Sequence, residues 1–246
     1  EENLSHSDQQ RIVIKVPVLP RISNHTDFEP LLQHSGVVLE YVTTGGDLSG
    51  ADLIILPGSK SVQADLAYLR EQGFDRQVFK HLRFGGKVLG ICGGFQMLGQ
   101  KIFDPEQVEG SITESEGLGL LDVETVLGSD KTLEIVSGVH IASGEKIHGY
   151  EIHIGSSEGP DRSNPWICLD DKRVEGALSQ DGRVMGSYIH GIFAADGFRQ
   201  FFLEGLHKGR TNTTAYEVMV ENTLDNLAEH LEENMDLDAL YAVTKK

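Results

Sequence analysis

The run KVLGICGGFQMLG, from Lys87 to Gly99, sets a cysteine between an apolar stretch and a glycine-flanked segment. Val88, Leu89 and Ile91 read as the end of a buried strand, and Phe95, Met97 and Leu98 as the start of a helix whose unpaired N–H groups point back at the Cys92 sulfur. Their partial positive charge favours thiolate over thiol and so raises the population of a nucleophile. Gly90, Gly93 and Gly94 suit a sharp strand-to-helix turn, where small residues let the backbone approach a reacting carbonyl. A free cysteine is more often a small apolar core residue; the surrounding glycines make Cys92 the candidate nucleophile. Such a thiol needs a base that takes its proton and returns it to a leaving group, and histidine has the pKa for both steps. Of ten histidines, His190 follows the strand-like run VMGSYI and precedes Gly191, a placement at a strand end. His148 and His153, around the GYEIH run, are its rivals. Backbone amides near Gly58 and Gly93 are the expected oxyanion donors, Gly93 because it follows the nucleophile and Gly58 because it lies in the LPGS turn after another apolar run.

Other chemistries are excluded. Gly58–Ser61, GSKS, lacks the earlier glycine of a phosphate-binding loop, since position 53 is Leu53. Cys92 and Cys168 are too few for a disulfide framework or a metal-ligand pattern, so no cofactor and no metal is expected. A net charge of −17 argues against nucleic acid as a partner. No apolar run reaches the roughly 18 residues of a membrane span, and the opening lacks the apolar core of a signal peptide. A cytoplasmic location is expected, with no membrane partner. The opening EENLSHSDQQ, residues 1–10, reads as a linker or cut fragment.

Strands are predicted over Arg11–Leu19, Val37–Val42, Asp52–Leu56 and Val184–Ile189, and several β-rich stretches over Leu118–Ile154. Helical spacing runs through Val62–Leu69, Asp75–Leu82 and Ala195–His207. A capping-box pattern of Thr26 and Glu29 opens a helix predicted over Thr26–His34, with Pro30 tolerated in its first turn. Leu224, Leu227, Leu231 and Met235 predict a docked amphipathic helix within Tyr216–Val243, with partner binding as the second option. Strands alternating with helices imply an α/β single domain with a mostly parallel central sheet flanked by helices, plus extra β-rich segments. In such a sheet, ligands bind beyond the carboxyl ends of the strands.

Cys92, Gly94 and Gln96 form the pattern C-x-G-x-Q, and with His190 and the LPGS turn the chain resembles the triad-type (class I, flavodoxin-like) glutamine amidotransferases. The resemblance implies that Cys92 attacks the side-chain amide of L-glutamine, forms a glutamyl thioester and releases ammonia, while His190 shuttles protons and Gln96 helps hold the substrate. Members usually carry a glutamate two positions after the histidine; here that position is Ile192. This implies a Cys and His dyad and leaves open what orients His190, for which Glu151 is a candidate. The cobalamin-biosynthesis branch is similar in lacking that glutamate. PRISNHTDFEPL (Pro20–Leu31), HGYEIHIG (His148–Gly155), SYIHGIF (Ser187–Phe193) and LAEHLEENMDLDALYAV near the C-terminus resemble the C-terminal half of the cobyric acid synthase family. By that resemblance residues 11–246 are a glutaminase domain, and an upstream ATP-binding synthase domain lies outside this chain. That partner domain would use ATP and Mg to amidate carboxylates of a corrinoid, adenosylcobyrinic acid a,c-diamide, with the ammonia. A stand-alone glutamyl amide hydrolase and a non-catalytic binding module of the same fold are the alternatives.

Overall fold

Leu53–Leu56 is apolar at every position, and a strand without a polar face is stable only where both faces are covered. The computed structural model, which describes residues 11–206 and 215–235, covers both. In chain order its strands are β1 (Ile12–Pro17), β2 (Ile22–Ser23), β3 (Val37–Val42), β4 (Leu53–Leu56), β5 (Gly58–Ser59), β6 (Lys87–Ile91), β7 (Lys101–Phe103), β8 (Glu114–Glu116), β9 (Glu124–His140), β10 (Lys146–Glu158), β11 (Ile167–Leu169), β12 (Val174–Glu175), β13 (Ala177–Leu178), β14 (Val184–Ser187) and β15 (Ile189–His190). The helices are α1 (Glu29–Leu32), α2 (Val62–Glu71), α3 (Phe74–Arg83), α4 (Gly93–Leu98), α5 (Asp196–Leu206) and α6 (Tyr216–Asn234). The central sheet runs β13-β14-β6-β4-β1-β3, parallel throughout except at β13. Leu53, Ile55, Leu89 and Ile91 point into one core with Phe28, Phe193 and Phe198. Ile54, Leu56 and Val88 point into the other, with Leu66, Phe74 and Val78 of α2 and α3. The period-2 alternation of each strand thus feeds two cores.

The β-rich stretch forms a second sheet dominated by the β9–β10 hairpin, which also holds β7, β8, β11, β12 and β15. Its register slips between Ile154 and Ser156, where Gly155 takes a φ of 77° and a Cβ would lie 2.4 Å from Val126 O. Only glycine fits that bulge without strain.

Three expectations are corrected. The strand predicted over Val184–Ile189 is broken at Tyr188: β14 belongs to the parallel sheet, whereas β15 pairs with β10. A buried carboxylate causes the break, because Glu175 accepts from Ser187 Oγ at 2.7 Å and from Tyr188 N at 2.8 Å and so diverts the backbone from one ladder to the other. The helix predicted over Thr26–His34 is a 3₁₀ turn (His25–Phe28) followed by the four-residue α1, and no capping box forms at Thr26. Asn24 precedes the turn in left-handed backbone (φ 56°, ψ 53°), and its side chain makes no cap bond because it is used elsewhere. The tail helix is α6, but none of its described residues is buried, so it is not docked along its length. Contacts at its first turn hold it: Tyr216 N donates to Asp196 and His148 pairs with Glu217. Residues 1–10, His207 and the remainder of the predicted tail helix lie outside the described residues.

Burial raises the Glu175 carboxyl to about 7, against the lowering effect of its bonds from Tyr188 and Ser187. A folded pKa above the unfolded one means that the proton stabilises the fold fully below pH ~4.5, and that this is lost as pH rises through about 7. Glu175→Gln cannot ionise and should gain on the parent protein by roughly 2.5 kcal/mol between pH 5 and pH 8, the part of the shift from 4.5 to about 7 that this interval spans, at about 1.4 kcal/mol per unit. Urea unfolding at the two pH values checks this; a gap independent of pH contradicts it.

Candidate active site

Cys92 stands at the carboxyl end of β6, with φ 51° and ψ −110°, a conformation that an L-residue holds only under constraint. Its N–H donates to Ser187 O at 2.8 Å, and its carbonyl accepts from Gln96 N at 3.1 Å as α4 begins. The turn is tight enough that a Cβ on Gly94 would sit 2.0 Å from Leu56 O, which requires glycine there. The thiol is 6% exposed and lies on the floor of a cavity of about 330 Å³. It therefore packs in the core as well as facing the cavity. A larger cavity, about 490 Å³, opens near Asp52 and Lys87 at the opposite, amino ends of β4 and β6, away from the thiol.

His190 ends β15 and is completely buried. Its Nδ1–H donates to Asp27 Oδ2 at 2.7 Å, while Gly191 N donates to the other oxygen, Oδ1, at 2.8 Å. Asp27 is itself buried, so both carboxylate oxygens are satisfied by the segment they hold. Nε2 pairs with the side-chain amide of Asn24, a residue of the cavity lining, at 2.9 Å. Burial alone would lower the pKa of the ring, but the hydrogen bonds and charges of Asp27 and Cys92 outweigh it and raise it to about 9. The imidazole is thus charged near neutral pH. The thiol donates to Ile152 O at 3.5 Å, and the Tyr150 ring stacks on His190 with centroids 5.3 Å apart.

The remaining expected residues are placed as follows. Gly58 lines the site, since a Cβ there would lie 3.2 Å from His190 Cε1, but its amide points elsewhere. β2 and β5 pair Ser23 with Gly58 and Ile22 with Ser59, and Lys60 N donates to Arg21 O at 3.0 Å. Hydrogen-bonded positions alternate in an antiparallel pair, so the Gly58 N–H faces Ser23 and the Ser59 N–H faces away from β2. Ser59 N is also the atom that a Cβ on Gly93 would meet, at 2.8 Å. The loop is fixed by two carboxylates: Asp65 accepts from Ser59 Oγ at 2.6 Å, and Glu109 accepts from Val62 N and Gln63 N at 2.9 and 3.0 Å. Gln96 is buried against the cavity, its Nε2 donating to Ile154 O at 3.0 Å. Glu109, Lys60 and Lys131 also line the cavity, giving it both signs of charge.

His153 lines the cavity too, but its Nδ1 bonds to Gly155 O, its ring stacks on Tyr188, and burial lowers its pKa. His148 lies apart, paired with Glu217 at 3.1 Å. Glu151 does not orient His190; it is paired with Arg173 at 3.3 Å. Among the described residues no group of three or more His, Cys, Asp and Glu could hold a metal ion, and no helix is long and apolar enough to cross a membrane.

Sequence reading missed Asp27, Asn24 and Ser59. Asp27 stands 163 residues from its histidine, inside the PRISNHTDFEPL run, where the capping-box pattern drew attention to Thr26 and Glu29 instead.

The family described as CobB/CobQ-like glutamine amidotransferase domain matches residues 13–198. A cobyric acid synthase of Cereibacter sphaeroides is 52% identical over 226 residues, 92% of this chain and 47% of the relative. One from Brucella canis is 46% identical over 245 residues, 98% of this chain and 50% of the relative. The chain therefore spans about half the length of these relatives. Among solved structures, PurLQS from Thermotoga maritima is similar with a TM-score of 0.57 at 22% identity, covering 73% of this chain and 87% of that one. A glutamine amidotransferase crystal structure is similar with a TM-score of 0.56 at 18% identity, covering 78% and 97%. These two likenesses show the fold.

The strained backbone at position 92 makes a prediction of sign. At ordinary positions glycine is less stable than alanine by roughly 0.5–1 kcal/mol, but here alanine retains the strain, of order 1–3 kcal/mol, and glycine relieves it. Cys92→Gly should therefore unfold at higher denaturant concentration than Cys92→Ala. The reverse order in urea titrations would show that the elbow stores no strain.

Proposed function

The chain belongs to the CobB/CobQ-like glutamine amidotransferase domain family, and we propose that Cys92 and His190 hydrolyse L-glutamine through a glutamyl thioester. The observation that carries the reading is the His190–Asp27 pair at 2.7 Å beside a cysteine held on a strained elbow. The Cys92 proton rests on His190 Nε2 before attack, and Sγ adds to the δ-carboxamide carbon as the thiolate. The tetrahedral oxyanion is met by the N–H groups of Gly93 and Ser59, the latter taking the part first expected of Gly58. Nε2–H then protonates the amide nitrogen, the C–N bond breaks and ammonia leaves. Water, deprotonated by the same nitrogen, attacks the thioester and releases glutamate with the thiol restored.

Asp27 is the positioning acid of this cycle. It fixes the Nδ1–H tautomer, so that Nε2 is the nitrogen that exchanges protons, and it stabilises the imidazolium that each half-reaction forms. Asn24 serves both states of the ring, since its Nδ2–H donates to neutral Nε2 and, turned over, its Oδ1 accepts from Nε2–H. The zwitterionic end of glutamine requires one acceptor and one cation. Glu109 and the Oε1 of Gln96 suit the ammonium, and Lys60 and Lys131 suit the carboxylate.

In this reading the ammonia is used by an ATP-dependent ligase domain that amidates carboxylates of adenosylcobyrinic acid a,c-diamide, and the cobyric acid synthase relatives, about twice the length of this chain, support it. ATP and Mg belong to that domain; glutamine belongs to this one.

Incubation with 6-diazo-5-oxo-L-norleucine, an electrophilic glutamine analogue, should add its mass to Cys92, and Cys92→Ala should end glutamine hydrolysis. Label on another residue, or persistent hydrolysis, rules the scheme out. Asp27→Asn should lower kcat by roughly 10²–10⁴, the range of general acid–base effects. Because Asp27 helps hold the imidazolium up to pH about 9, the alkaline limb of the pH–rate profile should move to lower pH in this variant. A kcat loss with the limb unmoved would assign Asp27 a structural role only.

A further inference from the structure

The β9–β10 hairpin turns an apolar face outward beside the Cys92 cavity. Leu133 is 68% exposed and Ile135 92% exposed, values seldom seen for large aliphatic side chains in a strand. Register sets Leu133 opposite Ile152 and Ile135 opposite Tyr150. Opposed residues share one side of a sheet, so the outward strip continues into the residues that touch the reacting pair: Ile152 O accepts from the thiol and Tyr150 stacks on His190. A shallow depression of about 460 Å³ lies on this strip, between Ile135, His148 and Tyr150. His148 is also where α6 is anchored, through Glu217. From that anchor α6 carries Leu224, Leu227, Leu231 and Met235 at helical spacing, each 39–53% exposed, among carboxylates such as Glu221, Asp225 and Glu229.

We propose that the Leu133–Ile135 strip and the apolar stripe of α6 together form the surface on which an ATP-dependent ligase domain docks, a surface apolar at its centre and met by basic residues along α6. The proposal rests on the glutaminase reading above. Three observations favour this occupant. The relatives carry about as much polypeptide again as this chain matches, enough to cover the face. A stable interface needs about 800 Å² on each partner, which a two-strand strip reaches only together with a helix such as α6. A second copy is disfavoured by charge, since two chains of −17 repel across acidic rims. The position also has a chemical purpose: a partner seated beside the thiol receives ammonia before bulk water protonates it.

The test places this chain in the full-length Cereibacter sphaeroides cobyric acid synthase, in exchange for the half that it matches. Ile135→Cys and, separately, Leu227→Cys are treated with a maleimide, and modification at positions 135 and 227 is followed by mass spectrometry in the chain alone and in the full-length chimera. Labelling should slow at least tenfold at both positions in the chimera. Equal rates at position 135 overturn the proposal, and equal rates at position 227 overturn the extension onto α6. Slow labelling at position 135 in the chain alone, with a sedimenting dimer, overturns it in favour of a second copy. In the same chimera Ile135→Glu should reduce glutamine-supported amidation at least tenfold, with ammonium-supported amidation and glutamine hydrolysis unchanged; unimpaired use of glutamine overturns the proposal. The labelling readout does not need glutamine, so a chain that fails to hydrolyse it defeats the reading of the site and not that of the surface.

Discussion

The Asp27 carboxylate holds together parts of the molecule that the chain keeps far apart. One oxygen accepts from His190 Nδ1 and the other from Gly191 N, so a single buried anion closes the 3₁₀ turn after β2 onto the end of β15. Removing two charges from water is costly, and such a pair is stabilising only when every lone pair and proton is used. Here the carboxylate is satisfied from both sides and the ring is bonded at both nitrogens. The orientation of the imidazole is therefore set by the fold.

Much of the surrounding architecture follows from the need to bring that turn and the elbow to one place. β14 lies beside β6 in the parallel sheet, and Ser187 O receives the Cys92 N–H. Glu175 then turns the chain out of that sheet at Tyr188, so that His190 arrives in the second sheet, buried beside Cys92. β2 and β5 form a two-stranded ribbon that carries Asn24 and Asp27 on one strand's continuation and Ser59 on the other strand. His190, Asp27 and the Ser59 loop are thus linked through backbone hydrogen bonds as well as through side chains.

The parallel sheet was legible because β1, β4 and β6 are apolar runs ended by glycine or proline, and the elbow because three glycines mark it. The place of His190 at a strand end was legible from the glycine that follows it, although the strand it ends, β15, belongs to the second sheet. The third member of the group was not. Asp27 gains its meaning from a histidine 163 residues away, and the local pattern around it, Thr26 to Glu29, is also that of a helix start. Local propensity named the helix; tertiary hydrogen bonding took the side chains of Asn24 and Asp27 away from it. The break at Tyr188 was hidden similarly, since a run of strand formers does not reveal which ladder each residue joins. The Ser59 amide could be told from that of Gly58 only once the register with β2 was known.

The carbonyl of Ile152 ties the position of the sulfur to the second sheet. It accepts from the thiol of Cys92 at 3.5 Å, and its strand neighbours Tyr150 and His153 stack on His190 and Tyr188. A displacement of the hairpin would therefore move the surroundings of sulfur and imidazole together, so the elbow and the ring meet only while the two sheets keep their places.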